Sequence, residues 1–191
     1  PGFSRPISDG IPRAATDTVL SCDFNDLAAA TELIGAHAQD LAAVIVEPLQ
    51  RAIPPVEGFL PGLREVAREN GVLLILDEIV TGFRLAWGGA QEYYGVSPDL
   101  VVYGKTISGG FPFSAICGRE DIMTCAAPER KGAGSYAFIS GTFNGNPVSC
   151  AAGLATLTQL EQPGTYDHLH GISRQLASGL ETIGHDLGLP L

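Results

Sequence analysis

The 191 residues carry 11 Lys+Arg against 21 Asp+Glu, a formal net charge of −10, which excludes the basic footprint of a nucleic-acid-binding domain. With 45% hydrophobic and 17% charged residues the composition supports a packed core and excludes intrinsic disorder, and so sparse a charge suggests that other protein covers part of the surface. No run approaches the ~18 uncharged apolar residues of a membrane helix, and no basic-then-apolar segment opens the chain. A soluble, cytoplasmic protein is expected. Pro1 at the start and Leu191 just after a Gly-Leu-Pro turn make it read as a fragment of a longer one.

In chain order, residues 1–22 hold Pro6, Gly10 and Pro12 without helical or alternating period and read mostly as loop. From Asn25, the apolar positions Leu27, Ala30, Leu33 and Ile34 predict a helix, followed by a buried strand over 42–47. Residues 60–70 are amphipathic, with Leu63, Val66 and Ala67 inward and Gly71 as a left-handed stop. The run Val72-Leu73-Leu74-Ile75-Leu76 lacks alternation and reads as a parallel strand covered on both faces. A short helix over 89–94, a strand over 100–103 and an antiparallel strand over 113–118 come next. Pro147 opens a helix to about Glu161, with Val148, Ala151, Ala152, Ala155 and Leu160 available for packing. Leu169, Ile172, Leu176, Leu180, Ile183 and Leu187 then mark a long amphipathic helix leading out of the layers. The alternation implies an α/β fold with a mainly parallel sheet.

Nine of the 11 basic residues are arginine, which leaves Lys105 and Lys131 as the lysines. Lysine can lose its proton and attack a carbonyl, whereas guanidinium cannot; chance accounts for the bias equally well, and Lys131 in Glu129-Arg130-Lys131-Gly132 reads as a solvated charge. Ligands of open α/β sheets lie beyond the carboxyl ends of the strands. Glu47, Asp77 and Lys105 stand there. One reading is a nucleotide hydrolase, with Gly104-Lys105-Thr106 as the end of a P-loop. It fails because Asp99 occupies the position of the required first glycine and residues 100–102 read as strand. The other is a pyridoxal phosphate site, which requires a lysine for the Schiff base and a buried carboxylate that keeps the pyridine nitrogen protonated. Lys105 and Asp77 supply these groups, Ile79 could press on a ring face, and Ser140-Gly141-Thr142 offers donors for the phosphate.

The segments Leu76-Asp77-Glu78-Ile79-Val80-Thr81-Gly82-Phe83-Arg84, Pro98-Asp99-Leu100 with Gly104-Lys105, and Gly141-Thr142-Phe143-Asn144-Gly145-Asn146-Pro147 closely resemble the class III pyridoxal-phosphate-dependent aminotransferases. Ser8-Asp9-Gly10-Ile11-Pro12, Gly88-Gly89-Ala90-Gln91-Glu92-Tyr93 and Gln162-Pro163-Gly164-Thr165-Tyr166 resemble the glutamate-1-semialdehyde 2,1-aminomutase branch. The resemblance implies part of a fold type I large domain, with helices on both faces of its sheet and incomplete at both ends. Residues 1–162 would belong to that domain, and residues 163–191 would lead as a helix towards a small C-terminal domain. It also implies roles: Lys105 as cofactor tether and proton shuttle, Asp77 as partner of the ring nitrogen, Ile79 as ring-packing residue and Glu47 near the cofactor. Thr142, beside Gly141, would reach the phosphate held by the other subunit of a homodimer.

The implied reaction is amino transfer between an amine or amino acid and a carbonyl compound. Gln50-Arg51-Ala52-Ile53-Pro54-Pro55 departs from the Gly-Asn expected of authentic aminomutases, and Tyr136-Ala137-Phe138-Ile139 looks closer to general transaminases. The expectation therefore leans to a transaminase, with the aminomutase and an inert fragment as alternatives. Arg51 reads as a surface charge, and Cys22, Cys117, Cys125 and Cys150 as buried free thiols. His168 and His170 are spaced against a metal pair. Trp87, Tyr93 and Tyr94 read as packing residues.

Overall fold

The computed structural model describes Gly2, Phe3, Pro6 and residues 8–189. Pro1 and Leu191, which suggested a fragment, lie outside the described residues. Strand β1 (Gly2–Phe3), helical turn α1 (Arg13–Thr16) and strand β2 (Leu20–Ser21) come first, with β1 and β2 paired antiparallel. The other described residues of this segment are turn, bend or loop, in keeping with the expectation of mostly loop. Two-residue strands are too short to leave an alternating pattern.

Helix α2 (Leu27–His37) starts where Asp26 accepts from the Ala29 N–H at 2.9 Å, the side-chain cap that satisfies a free helix donor. Strand β3 (Ala43–Val46), helix α3 (Phe59–Glu69), strand β4 (Leu73–Glu78), helix α4 (Gly89–Tyr94), strand β5 (Leu100–Tyr103) and strand β6 (Ala115–Gly118) follow. Gly71, at φ +68°, supplies the expected stop after α3. The sheet order is β3-β4-β5-β6, with the first three strands parallel and β6 antiparallel. The α/β alternation legible in the sequence is the architecture found.

One sheet face is buried more completely than the other. Leu74, Leu76 and Glu78 are buried, whereas Leu73, Ile75 and Asp77 are half-buried. On the same open side as Ile75, Ile45 is 63% exposed. The uninterrupted apolar run thus predicts strand correctly but overstates how far the described helices cover its second face. The buried side holds one cluster of Ala30, Ile34, Phe59, Leu60, Leu63 and Leu74 with neighbours, and a second of Leu76, Val101, Tyr103 and Ile107. The second cluster lies directly behind the strand ends where ligands of such folds sit.

Helix α5 (Glu120–Met123) and a loop lead to helix α6 (Pro147–Leu160), capped by Asn146, whose Oδ1 accepts from Val148 and Ser149 N–H at 3.0 and 3.1 Å. The packing face of α6 differs from the expected one. Val148, Ala151 and Ala155 are exposed, while Ser149 and Gly153 are buried. Small residues let the helix lie against backbone: a Cβ on Gly153 would stand 3.4 Å from the Ile107 carbonyl oxygen. Helix α7 (Thr165–Asp186) closes the chain. Its Tyr166 hydroxyl donates to the Phe83 carbonyl at 3.1 Å, and the His170 ring nitrogen Nε2 lies 3.0 Å from the Leu85 carbonyl oxygen. No described helix is long and apolar enough to cross a membrane.

The cysteines are free as expected but not buried, with Cys22, Cys117 and Cys150 exposed and Cys125 half-buried. For Cys117, the cause is its place on the outer strand β6, beyond the last covered strand. Trp87 packs edge-on against Phe83, with ring centroids 5.6 Å apart, and Tyr94 joins the first core cluster.

Candidate active site

Asp77 and Lys105 stand at the carboxyl ends of neighbouring parallel strands. Asp77 pairs in register with Val102 of β5, and adjacent strands run about 4.8 Å apart. Strand β5 ends at Tyr103, Gly104 is extended, and Lys105 opens a single 3-10 turn, Lys105–Ser108. The turn directly follows a strand and replaces the glycine-rich cradle of a P-loop, so the nucleotide reading has no geometry to rest on.

The Asp77 carboxylate is half-buried and faces the open side of the sheet. Its Oδ1 accepts from the Ile79 N–H at 3.0 Å, which turns the chain sharply at the strand end. That turn brings Ile79 against the Lys105 strand, since a Cβ on Gly104 would lie 3.2 Å from Ile79 Cγ2. Only glycine at 104 leaves that approach free. The Lys105 side chain is exposed, and its backbone takes a left-handed φ of +46°, a conformation that costs a non-glycine residue about 1–2 kcal/mol. Next to it, the Thr106 hydroxyl oxygen is buried without a hydrogen-bond partner.

Glu47, half-buried after β3, and Asp77 line one groove of about 540 Å³, together with Gln50 and residues 18–24; Lys105 does not line it. The structure therefore joins Glu47 to Asp77 through the groove, and Ile79 to the Lys105 backbone through Gly104. Gly141 and Thr142 lie apart in an exposed loop whose described hydrogen bonds are internal, Asn144 N–H to the Gly141 carbonyl at 3.0 Å among them. Helix α6, which this loop enters, packs on the Lys105 turn. Phe138, Ile139 and Phe143 of the same loop are 77%, 52% and 63% exposed. Arg51 forms the tip of a tight turn closed by Gln50 and Ile53, at φ +57°, with an exposed side chain.

Sequence reasoning missed the two most buried carboxylates. Glu78 is 0% exposed and accepts from the Thr81 hydroxyl at 3.0 Å, the Ala90 N–H at 2.6 Å and the Gln91 N–H at 2.9 Å. Asp99 is 2% exposed; it meets Arg64 at 2.5 Å, Arg119 at 2.8 Å and the Leu74 N–H at 2.8 Å. Burial works against its charge, and the two guanidiniums with the Leu74 amide outweigh it, holding the carboxyl down at about 2. Asp99 sits at the far ends of β4 and β5, so it braces the strands away from the site. Tyr103, on the buried face, accepts from Gln91 Nε2 at 2.5 Å, and burial with the nearby Glu78 charge pushes its phenol up to about 12. The usable signal was the run Gly88-Gly89 before a short helix. Gly89, at φ +78°, is where any Cβ would run into Glu78 Oε2.

The mainly parallel α/β sheet and its likeness to solved transaminase structures define part of a transferase large domain of fold type I. The chain belongs to the class III aminotransferases, whose family model matches residues 4–188. An omega-transaminase from Sphaerobacter thermophilus is 38% identical over 98% of this chain and 43% of its own, with a TM-score of 0.91. A β-phenylalanine aminotransferase from Variovorax paradoxus is 40% identical over 77% of this chain and 34% of its own, with a TM-score of 0.69. A transaminase with PLP bound is 29% identical over 98% of this chain and 44% of its own, with a TM-score of 0.88. The chain spans less than half the length of each of these proteins.

Proposed function

We propose that the protein to which this chain belongs transfers an amino group between an amine and a carbonyl compound, with pyridoxal 5'-phosphate held at Lys105 and Asp77. The observation that carries the reading is the pairing of the two strand ends, with Asp77 beside Val102 and Ile79 against Gly104. The donor set fits that cofactor. Lys105 offers an exposed primary amine, Asp77 a carboxylate with no ion-pair partner among the described residues, and Ile79 an apolar side chain against Gly104. The partnerless Thr106 hydroxyl adds a polar group beside the tether. Ser140, Gly141, Thr142 and Glu47 are the remaining candidates to hold the phosphate and its surroundings.

When bound, the cofactor supplies an aldehyde that joins amines and a heterocycle that accepts electrons. Asp77 would hold the heterocycle's nitrogen in its protonated form, because a carboxylate beside it favours the charged state. Ile79 would keep water from one side of the ring. Lys105 Nζ, released when a substrate amine takes its place, would remove the proton from the carbon bearing the amino group and return a proton to complete the transfer.

Four finer points belong to the same reading. Thr142 would act on the phosphate of a second subunit, and the exposed Phe138, Ile139 and Phe143 around it support a homodimer built on that loop. The turn at Gln50-Arg51-Ala52, where aminomutases are expected to carry Gly-Asn, supports an intermolecular transaminase within the aminomutase-like branch. Four free thiols support a reducing, cytoplasmic setting. Residues 163–191, whose helix exposes Leu176, Leu180 and Leu187 at 62%, 56% and 68%, would lead to a further, smaller domain.

Titrating the full-length protein with pyridoxal phosphate tests the central assignment. After borohydride reduction and removal of unbound cofactor, the pyridoxyl chromophore is expected to stay with the wild type and to be lost from Lys105→Ala; a chromophore retained covalently by Lys105→Ala overturns it. Assaying turnover of glutamate 1-semialdehyde without any added amino acceptor separates the activities, since an intermolecular transaminase requires one and an aminomutase proceeds without.

A further inference from the structure

We propose that Glu78 is a positioning residue for the Asp77 and Lys105 pair, acting through Gln91 and Tyr103 on the buried side of the sheet. The proposal rests on the reading of Asp77 and Lys105 given above and assigns a function to groups outside it. Glu78 directly follows Asp77, and Tyr103 precedes Lys105 by two residues; the two are register partners across β4 and β5. Gln91 joins them from a third element. Its backbone N–H is held by Glu78 Oε1 at 2.9 Å, and its side-chain Nε2 donates to the Tyr103 hydroxyl oxygen at 2.5 Å. The strand pairing on one side and the two bonds of Gln91 on the other form a closed frame behind the site.

A carboxylate at 0% exposure is an unusual choice for such a frame. Among the described residues no Arg, Lys or His lies within ion-pair distance of Glu78, and its charge is met only by Thr81, Ala90 and Gln91. An apolar side chain of similar volume would fill the space without the desolvation cost of a buried charge, several kcal/mol per ion. It would not fix where α4 begins. The two bonds from the Ala90 and Gln91 N–H groups do so, and thereby fix Gln91 and, through it, the end of β5, while the Thr81 hydroxyl holds the carboxylate itself. Two glycines leave room for this arrangement. A Cβ on Gly82 would come within 2.5 Å of Tyr103 Cδ1, and one on Gly89 would collide with Glu78 Oε2. On the opposite side, Asp77 fixes Ile79, and Ile79 abuts Gly104. The strand ends are thus held from both faces, which sets the separation between the backbones that carry the carboxylate and the amine.

The test uses the full-length protein loaded with pyridoxal phosphate and the variants Tyr103→Phe, Gln91→Leu and Glu78→Gln, with Asp99→Asn as control. Asp99 braces the same two strands at their far ends, so its variant loses stability without disturbing the frame. Three quantities are read: thermal midpoint, the pH midpoint of the near-visible cofactor band, and kcat with KM. Displacing a reacting group by about 1 Å costs up to about 100-fold in rate. Tyr103→Phe and Gln91→Leu are therefore expected to lower kcat by about 10- to 100-fold at little change in KM, and to move the pH midpoint of the band. The double variant should be no worse than either single, because both break one link. Asp99→Asn should lower the thermal midpoint and leave the band in place. Unaltered kcat and band midpoint in Tyr103→Phe and Gln91→Leu overturn the proposal, as does an equal band shift in Asp99→Asn. If Glu78→Gln does not fold, these two variants decide alone. A wild type without a Lys105-dependent band removes the underlying reading and the proposal with it, whereas a normal wild-type band with inert variants removes the proposal only.

Discussion

Lys105 holds a left-handed backbone angle, φ +46°, that glycine adopts without penalty. Strain retained at a single residue commonly marks a functional position. Lys105→Gly is accordingly expected to stabilise the cofactor-free full-length protein by about 1 kcal/mol, from the cost of the left-handed region, while abolishing the cofactor band; thermal unfolding and absorption on one preparation check both halves. Asp99 gives a pH dependence of known sign. Its folded carboxyl lies near 2 against an ordinary 3.8, so its stabilisation is complete above pH ~4 and is lost as pH falls towards 2, about 2 kcal/mol in all. Urea unfolding between pH 5 and 2 should show that loss in the wild type and a weaker pH dependence in Asp99→Asn, which should already be about 3 kcal/mol less stable at neutral pH. In the sequence Asp77 and Lys105 stood out because each ends an apolar run. Glu78 and Asp99 did not, since apart from the nearby Thr81 their partners lie 12 to 13 and 20 to 35 residues away and only the fold brings them together.

At the scale of elements, α6 connects the exposed Gly141-Thr142 loop to the Lys105 turn. Gly153 lies against the Ile107 carbonyl, Leu157 packs on the Ile107 cluster, and Thr156 is close, since a Cβ on Gly109 would stand 2.8 Å from Thr156 Oγ1. Gly153→Val should push the helix away from Ile107, destabilise the protein by about 1–3 kcal/mol in chemical unfolding, and raise the dissociation constant for pyridoxal phosphate. Unchanged cofactor affinity would show that α6 does not organise the site. Asn146→Ala, which removes the cap, should cost about 1 kcal/mol in the same unfolding measurement. The helix itself was legible from Pro147 and the spacing of its apolar residues, but its packing face was not. Hydrophobic periodicity identifies large side chains such as Leu157, which does pack on the Ile107 cluster, but the buried positions Ser149 and Gly153 are small and leave no such mark. The parallel strands were legible because burial in such sheets gives continuous apolar runs; β1 and β2 are two residues each and carry no such signal.

For the whole molecule, the half-covered sheet face, the exposed loop around Phe138 and Phe143 and the apolar stripe of α7 all leave hydrophobic surface open, consistent with a chain that spans less than half of its structural relatives. Exposed apolar patches of this kind mark contacts with further protein. The fold class was legible because the strand-helix alternation admits few arrangements, and the family because its motifs are contiguous in sequence. How the site is completed was not, because no described hydrogen bond ties the Gly141-Thr142 loop to Asp77 or Lys105. The central claim is that one amine, Lys105, tethers a cofactor whose charge Asp77 balances. Borohydride reduction of the full-length protein incubated with pyridoxal phosphate, followed by peptide mass mapping, tests it most directly. The added pyridoxyl mass should appear on the peptide containing Lys105, stoichiometrically, and fall sharply in Asp77→Ala; label spread over Lys131 and other amines, or unaffected by loss of Asp77, would contradict it.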